Sequence, residues 1–404
     1  MSPYLPTGNT GTSSALVACF SALVAFTLTA NAYAPVMAVI KSNLGLSYTE
    51  AGLVASAFFV GYGIGQIPWG FLVDRHGGRA ILATSILGTG ISTVLFSLSR
   101  TPESAIILRF ISGLVSAGIF VPSIRVISDA FPERRRGIAL GILGAGIGLA
   151  VVMLGIIMPI ASNYFGWRIG VQLFAWIAVL DAILVWFLLG GSRAHSSLPK
   201  SAAKEFVSDP GFWILAYAHF ARYGLDSTII AWTTVFLIDA FQFPLALAGF
   251  ALSLMFAATI FSDPVGGHIS DRIGRFTLCA STFAILAGIL VGLVFVRTEV
   301  ILWILLLGAG WFVEFHRSSL LAAVPERYGV ERTGSVSGVL NVFAAAGAFF
   351  LPLSFGYLRD LEGTFAWGWI FVAVLMMIGG MAVLMFRFLK PRLALSDQSE
   401  GFVD

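Results

Sequence analysis

Three apolar stretches of this chain carry charged side chains far from their ends. One holds Arg109, in the run Leu108-Arg109-Phe-Ile-Ser-Gly113. A second holds His219, Arg222 and Asp226 at i, i+3 and i+7, which a helix would place on one face. A third holds Glu314 and Arg317 at i, i+3. By helix rise Arg109 lies ~10 Å along from Pro102, Arg222 ~18 Å from Pro210 and Glu314 ~22 Å from Glu299. An ionisable group at such depth in a bilayer costs at least ~2.5–3.5 kcal/mol, so each needs a partner or a task. Two kinds of chemistry fit these types. Arg109 and Arg222 can hold an anion. Asp226 and Glu314, with Arg317 and His219 beside them, can trade an ion-pair partner for a proton, which is what proton coupling requires. Structural alternatives stand beside these: internal pairs Arg222–Asp226 and Glu314–Arg317, and an Arg109 that snorkels to the interface or binds a carbonyl. His316 follows Glu314 by two positions, and helical spacing directs it away. Three arginines against two acids leave a surplus of one positive charge, which favours an anionic cargo.

These residues have to be positioned by membrane helices. Of 404 residues 58% are hydrophobic and 11% charged, where a soluble domain carries roughly 25% charged. Twelve apolar runs of about 20 residues follow one another, at 15–40, 51–73, 80–99, 103–128, 137–161, 168–190, 210–240, 246–269, 276–296, 299–323, 333–358 and 365–388. The first, seventh, tenth and eleventh are long enough to tilt or kink. Asn31 and Tyr33 on the first, Tyr62 and Gln66 on the second and Asn341 on the eleventh are polar groups that could line a cavity. With both termini cytoplasmic, the inside loops and tail hold fifteen Lys and Arg and the outside loops five, so this orientation is the expected one. Residues 1–14 contain no Lys or Arg, which predicts a retained first helix rather than a cleaved signal. The Ser-rich, basic stretch 191–209 reads as a cytoplasmic linker between halves 1–190 and 210–404. Cys19 and Cys279 lie in apolar runs and predict buried thiols, not a disulfide. No metal-ligand spacing, nucleophile motif or phosphate loop is present, so neither an enzyme nor a cofactor is expected.

The connecting loops carry a repeat. Gly70-Phe-Leu-Val-Asp74-Arg75-His-Gly77-Gly-Arg79 returns as Gly267-His-Ile-Ser-Asp271-Arg272-Ile-Gly274-Arg275. The interval from Asp74 to Asp271 also separates Gly113 from Gly310 and Gly141 from Gly338, which argues for two copies of one unit. Glycine on the helix before each loop predicts a close helix approach. Arg125 and Asp129, at i, i+4, join Asp74, Arg75, Arg79, Asp271, Arg272, Arg275 and the run Glu133-Arg134-Arg135-Arg136 as a candidate gate network. The doubled loop resembles the signature between helices 2 and 3, and 8 and 9, of the major facilitator superfamily of secondary transporters.

That resemblance implies an all-α membrane protein of two pseudo-symmetric six-helix bundles, working by alternating access around a central binding site. The run Ser56-Ala-Phe-Phe-Val-Gly-Tyr62-Gly-Ile-Gly-Gln66-Ile-Pro68-Trp-Gly70 resembles the second helix of the anion:cation symporter branch. So does the stretch from Arg109-Phe-Ile-Ser-Gly113 to Arg125-Val-Ile-Ser-Asp129. Where that branch often carries an arginine in helix 1, this chain has Asn31 and Tyr33. Ser116 stands where an acid often follows the helix-4 arginine, so coupling passes to the second half. The expectation is a monomer in the plasma (inner) membrane that moves a small organic anion, a carboxylate, with protons or by exchange, and has no nucleic-acid partner. A proton-driven efflux pump for apolar compounds and a non-transporting nutrient sensor are the alternatives.

Overall fold

The computed structural model describes residues 11–190, 207–329 and 332–385. Among these the regular elements are all helical, and twelve helices are long and apolar enough to cross a membrane. They are Thr12–Leu44, Tyr48–Val73, Arg75–Ser97, Pro102–Ala130, Arg135–Phe165, Trp167–Leu188, Pro210–Phe241, Leu245–Ile273, Arg275–Phe295, Glu299–Tyr328, Val336–Glu362 and Ala366–Met385, here spans one to twelve. Each falls on an apolar run of the sequence. Local chemistry sets the ends. Ser47 and Glu50 form a reciprocal capping box at span two, and Thr101 and Ser104 another at span four, ahead of Pro102. Gly77 (φ 82°) and Gly274 (φ 88°) turn the chain at matching points of the two signature loops, in a region where a side chain would be strained.

Three spans are interrupted. Span one breaks at Ala32 and Tyr33 before a 3-10 turn, Ala34–Val36. Span four breaks between Ser116 and Phe120, and span ten between Val313 and Arg317. The last two breaks are repeat mates, since Ala117–Ile119 and Glu314–His316 stand apart by the interval from Asp74 to Asp271. Tight bonds bridge both: Ile119 N–H donates to Ser116 O at 3.1 Å, and Arg317 N–H to Glu314 O at 3.0 Å. Length alone singled out spans one and ten as able to kink. The break in span four has no such signal, and spans seven and eleven run on as single helices.

By contact the chain falls into two compact units. The first holds spans one to six with Ile229–Ala257. Its core is built from small side chains: Ala15, Ala18, Cys19 and Ala22 of span one meet Leu82, Ile86, Ile127, Ala178 and Val185. Spans two and four cross backbone to backbone, because a Cβ on Gly113 would lie 1.8 Å from Phe58 O and one on Gly61 2.0 Å from Phe110 O. Tyr48 O–H donates to Asp239 at 2.7 Å, and Thr234 to Ala34 O at 2.7 Å. The second unit holds the rest of spans seven and eight with spans nine to twelve. There a Cβ on Gly347 would lie 2.0 Å from Phe220 O, and one on Gly266 1.8 Å from Phe315 O. The signature glycine Gly70 does not play the packing part expected of it. A Cβ there meets nothing within 4 Å, and the same holds at Gly137 and Gly141. Both cysteines are buried and unbridged. The expected linker lies mostly outside the described residues.

Candidate functional site

Among the described residues of the first unit, two side chains of charged type are buried within spans, Asp181 on span six and, only 2% exposed, Arg109 on span four. Its guanidinium lies over the ring of Tyr33 at 4.5 Å and that of Phe58 at 4.8 Å, with Phe96 at 5.9 Å. Arg109 Nε donates to Val54 O at 3.0 Å. That carbonyl belongs to span two, which the Gly113 crossing brings against span four. Arg109 therefore does not snorkel; it is held inside by a carbonyl and by aromatic faces. Among the described residues no carboxylate lies within ion-pair distance of it, and its two terminal nitrogens have no hydrogen-bond partner. Phe58 stacks on Tyr62 with ring centroids 6.1 Å apart, which joins Tyr62 to the group. Asn31 Nδ2 donates back to Thr27 O at 3.2 Å, and Gln66 is partly buried on span two, one turn past Tyr62.

The second unit holds a buried ionic cluster. Arg222 on span seven pairs closely with Glu314, in the break of span ten, and Arg317 N–H lies 3.7 Å from the same carboxylate oxygen. The strongest pair thus crosses between helices, whereas helical spacing suggested Arg222 with Asp226. A helix break explains it: Glu314 sits off the helix path, so its side chain reaches span seven. His316 stands in the same break. It is 0% exposed, is an electrostatic neighbour of Arg222 and His219, and sits edge-on to Phe283 at 4.7 Å. Counting helical positions fails where the chain leaves the helix. Around this pair lie several sealed polar atoms that no described residue satisfies: both ring nitrogens of His219 and of His316, Arg222 Nε, Asp226 Oδ1, Asp263 Oδ1, and the hydroxyls of Ser318 and Ser319. Buried polar atoms are normally paired, so these groups stand out against the rest of the interior. Asn341 is partly buried on span eleven.

The candidate gate residues lie at the loops. Arg75, Asp129, Asp271 and Arg272 are exposed and Arg125 is partly buried. Arg79 lies over the ring of Trp186 at 4.2 Å, and Arg275 pairs with Glu326 at 2.8 Å. Arg136 donates to Ser128 O at 2.8 Å, tying the basic loop to the end of span four. The side chains of Asp74, Glu133 and Arg134 lie outside the described residues. Sequence reasoning missed a clasp just before span seven. Asp209, 2% exposed, accepts from Arg327 Nε and a terminal nitrogen at 2.7 Å each and from Tyr328 O–H at 2.6 Å. Burial alone would raise the Asp209 pKa, but these donors and Gly211 N–H outweigh it and hold the carboxyl down at about 2. An acid directly before the proline that opens a span was the available signal.

Comparison with known proteins agrees with this architecture. The profile of the Major Facilitator Superfamily matches residues 18–352. "Probable sulfoacetate transporter SauU" of Cupriavidus necator is 24% identical over 396 residues, covering 90% of each chain. "Probable galactarate/D-glucarate transporter GudP" of Bacillus subtilis is 26% identical, covering 82% of each. "Hexuronate transporter", also of Bacillus subtilis, is 22% identical, covering 87% of this chain and 88% of its own. Among solved structures, the inward-facing, occupied form of a bacterial homologue of the human lysosomal transporter Spinster superposes with a TM-score of 0.78. It covers 93% of this chain and 97% of its own at 16% identity, which speaks to the fold alone. The chain is a multi-pass membrane transporter belonging to the Major Facilitator Superfamily.

Proposed function

We propose that the protein moves a small organic anion, a carboxylate, by alternating access, in symport with protons or by exchange. The observation that carries this reading is Arg109: a buried cation with no carboxylate of the described residues in reach and with donors to spare. A buried unpaired charge is costly, and an anionic ligand offsets that cost. The relatives' names, "Probable sulfoacetate transporter", "Probable galactarate/D-glucarate transporter" and "Hexuronate transporter", support the same class.

Roles divide between the units. Arg109, with Tyr33 and Tyr62, receives the anion. Arg222 is held by Glu314 and serves the anion only when that pair opens. Asp226, whose Oδ1 has no partner among the described residues, takes the proton, while Glu314, itself braced by Arg317, holds Arg222 between cycles. Asp74, Arg75, Asp271 and Arg272 act at the gate. The halves 1–190 and 210–404 with a cytoplasmic linker, both termini cytoplasmic, a monomer and the plasma membrane complete the proposal. Counterflow in proteoliposomes with a panel of labelled carboxylates and neutral analogues tests it. Uptake of carboxylates that Arg109→Gln abolishes is expected; equal handling of neutral analogues overturns it.

A further inference from the structure

We infer that the anion met by Arg109 carries a flat apolar body: an aromatic carboxylate of the benzoate class rather than a polyhydroxylated acid. The inference rests on the anion reading above and adds the rest of the ligand. A guanidinium covered on its face by Tyr33 and Phe58 keeps its N–H donors at its edges, in the plane where a carboxylate binds at two points. One edge is taken by Val54 O. The other is the one a ligand would meet. Beside it the rings continue: Phe58 stacks on Tyr62 at an interplanar angle of 15°, and Phe26 lies 5.8 Å from Tyr62 and 6.1 Å from Phe58. Phe58 is sealed, but Phe26 and Tyr62 are only partly buried. The result is a run of π faces starting at the cation and ending on accessible rings, suited to an arene.

A hydroxyl-rich ligand would find little here. Three neighbouring aliphatic hydroxyls donate within their own helices: Thr27 to Leu23 O, Thr29 to Ala25 O and Ser56 to Gly52 O, all within 2.8 Å; the buried Ser112 hydroxyl is the one nearby that no described residue satisfies. Nor does the fold impose these rings. At the repeat-related positions of the second half, Tyr33, Phe58, Tyr62 and Arg109 become Ile230, Met255, Thr259 and Leu306. Phe26 alone of these rings keeps an aromatic mate, Tyr223, so most of the platform and the arginine occur together in one half and are lacking in the other.

The test is thermal unfolding of the purified full-length protein against rising benzoate, cyclohexanecarboxylate, acetate and glucarate. Benzoate is expected to stabilise at concentrations at least tenfold below acetate and glucarate, and severalfold below cyclohexanecarboxylate. Tyr62→Leu and Phe26→Leu should each erase the advantage over cyclohexanecarboxylate, and Arg109→Gln should erase stabilisation by all four. If a variant does not fold, the wild-type ranking decides. Glucarate or acetate matching benzoate overturns the flat-body inference and leaves the anion reading standing. No stabilisation by any carboxylate, or full stabilisation of Arg109→Gln, overturns both.

Discussion

The two halves of this transporter share a chain trace and differ in where they keep their charge. Matching positions break span four at Ala117–Ile119 and span ten at Glu314–His316. Matching glycines turn both signature loops. The close contact next to each break is conserved in place but reversed in hand. In the first unit Gly118 faces the Trp69 ring, with a Cβ on it 2.8 Å away; in the second, Gly266, the mate of Trp69, faces Phe315, the mate of Gly118. The backbone geometry thus needs one small residue per crossing, on either helix. The charges follow no such rule. Arg222, Asp226, Glu314 and Arg317 have Ala25, Thr29, Ala117 and Phe120 as mates, and Arg109 has Leu306. A duplicated scaffold carries, in one half, a buried cation with no ion-pair partner among the described residues and, in the other, an ion-paired cluster.

The largest expected effect comes from breaking the cluster. Glu314→Gln strands the buried Arg222, and breaking such a pair costs about 3–5 kcal/mol. A large fall in Tm measured in detergent is the expected outcome. Replacing Arg222 by Leu in the same chain should recover much of it, since a buried pair exchanged for apolar groups is often near neutral. A double mutant no better than Glu314→Gln would mean the pair is not what holds the cluster. Next comes the scaffold. Gly113→Ala pushes a methyl against Phe58 O and should cost about 1–3 kcal/mol as overpacking, with a loss of anion binding because Phe58 underlies Arg109. Gly70→Ala, on an open helix face, should change stability by no more than about 0.5 kcal/mol. Equal effects at the two sites would break the distinction drawn between signature and packing glycines.

A smaller effect separates the halves by pH. The Asp209 clasp has Thr12, Ala130 and Phe131 as mates of Asp209, Arg327 and Tyr328, so the second half alone has it. Its carboxyl is held at about 2 when folded, below the ordinary value near ~3.9. The stability it lends, about 2 kcal/mol, is therefore fully present above the unfolded value and is lost as pH falls through about 2. Acid titration of Tm for the wild type and Asp209→Asn should show curves that converge toward pH 2. Parallel curves would show the clasp to be idle.

Most of the scaffold was legible in the sequence because lipid forces it. Twelve apolar runs, a basic loop repeated at a fixed interval and the Lys/Arg bias between loops leave few folds open. Arg109, Arg222 and Glu314 were legible for the same reason, being charges where apolar residues are required. Partners were less so. Helical spacing paired Arg222 with Asp226 on its own helix, and could not show that Glu314, past the helix end at Val313, reaches across to span seven. The role of Phe58 had no signal, since one more aromatic in an apolar run breaks no pattern. Asp209 and Arg327 lie far apart in sequence and meet only through tertiary packing.

The division of labour is tested most directly by measuring anion binding and solute-driven pH change together, in proteoliposomes of wild type, Arg109→Gln and Asp226→Asn. Asp226→Asn should still bind and exchange the anion while losing the accompanying proton movement, and Arg109→Gln should lose both. An Asp226→Asn protein that still moves protons with its cargo, or an Arg109→Gln protein that still binds the anion, contradicts the assignment of cargo to one half and proton to the other.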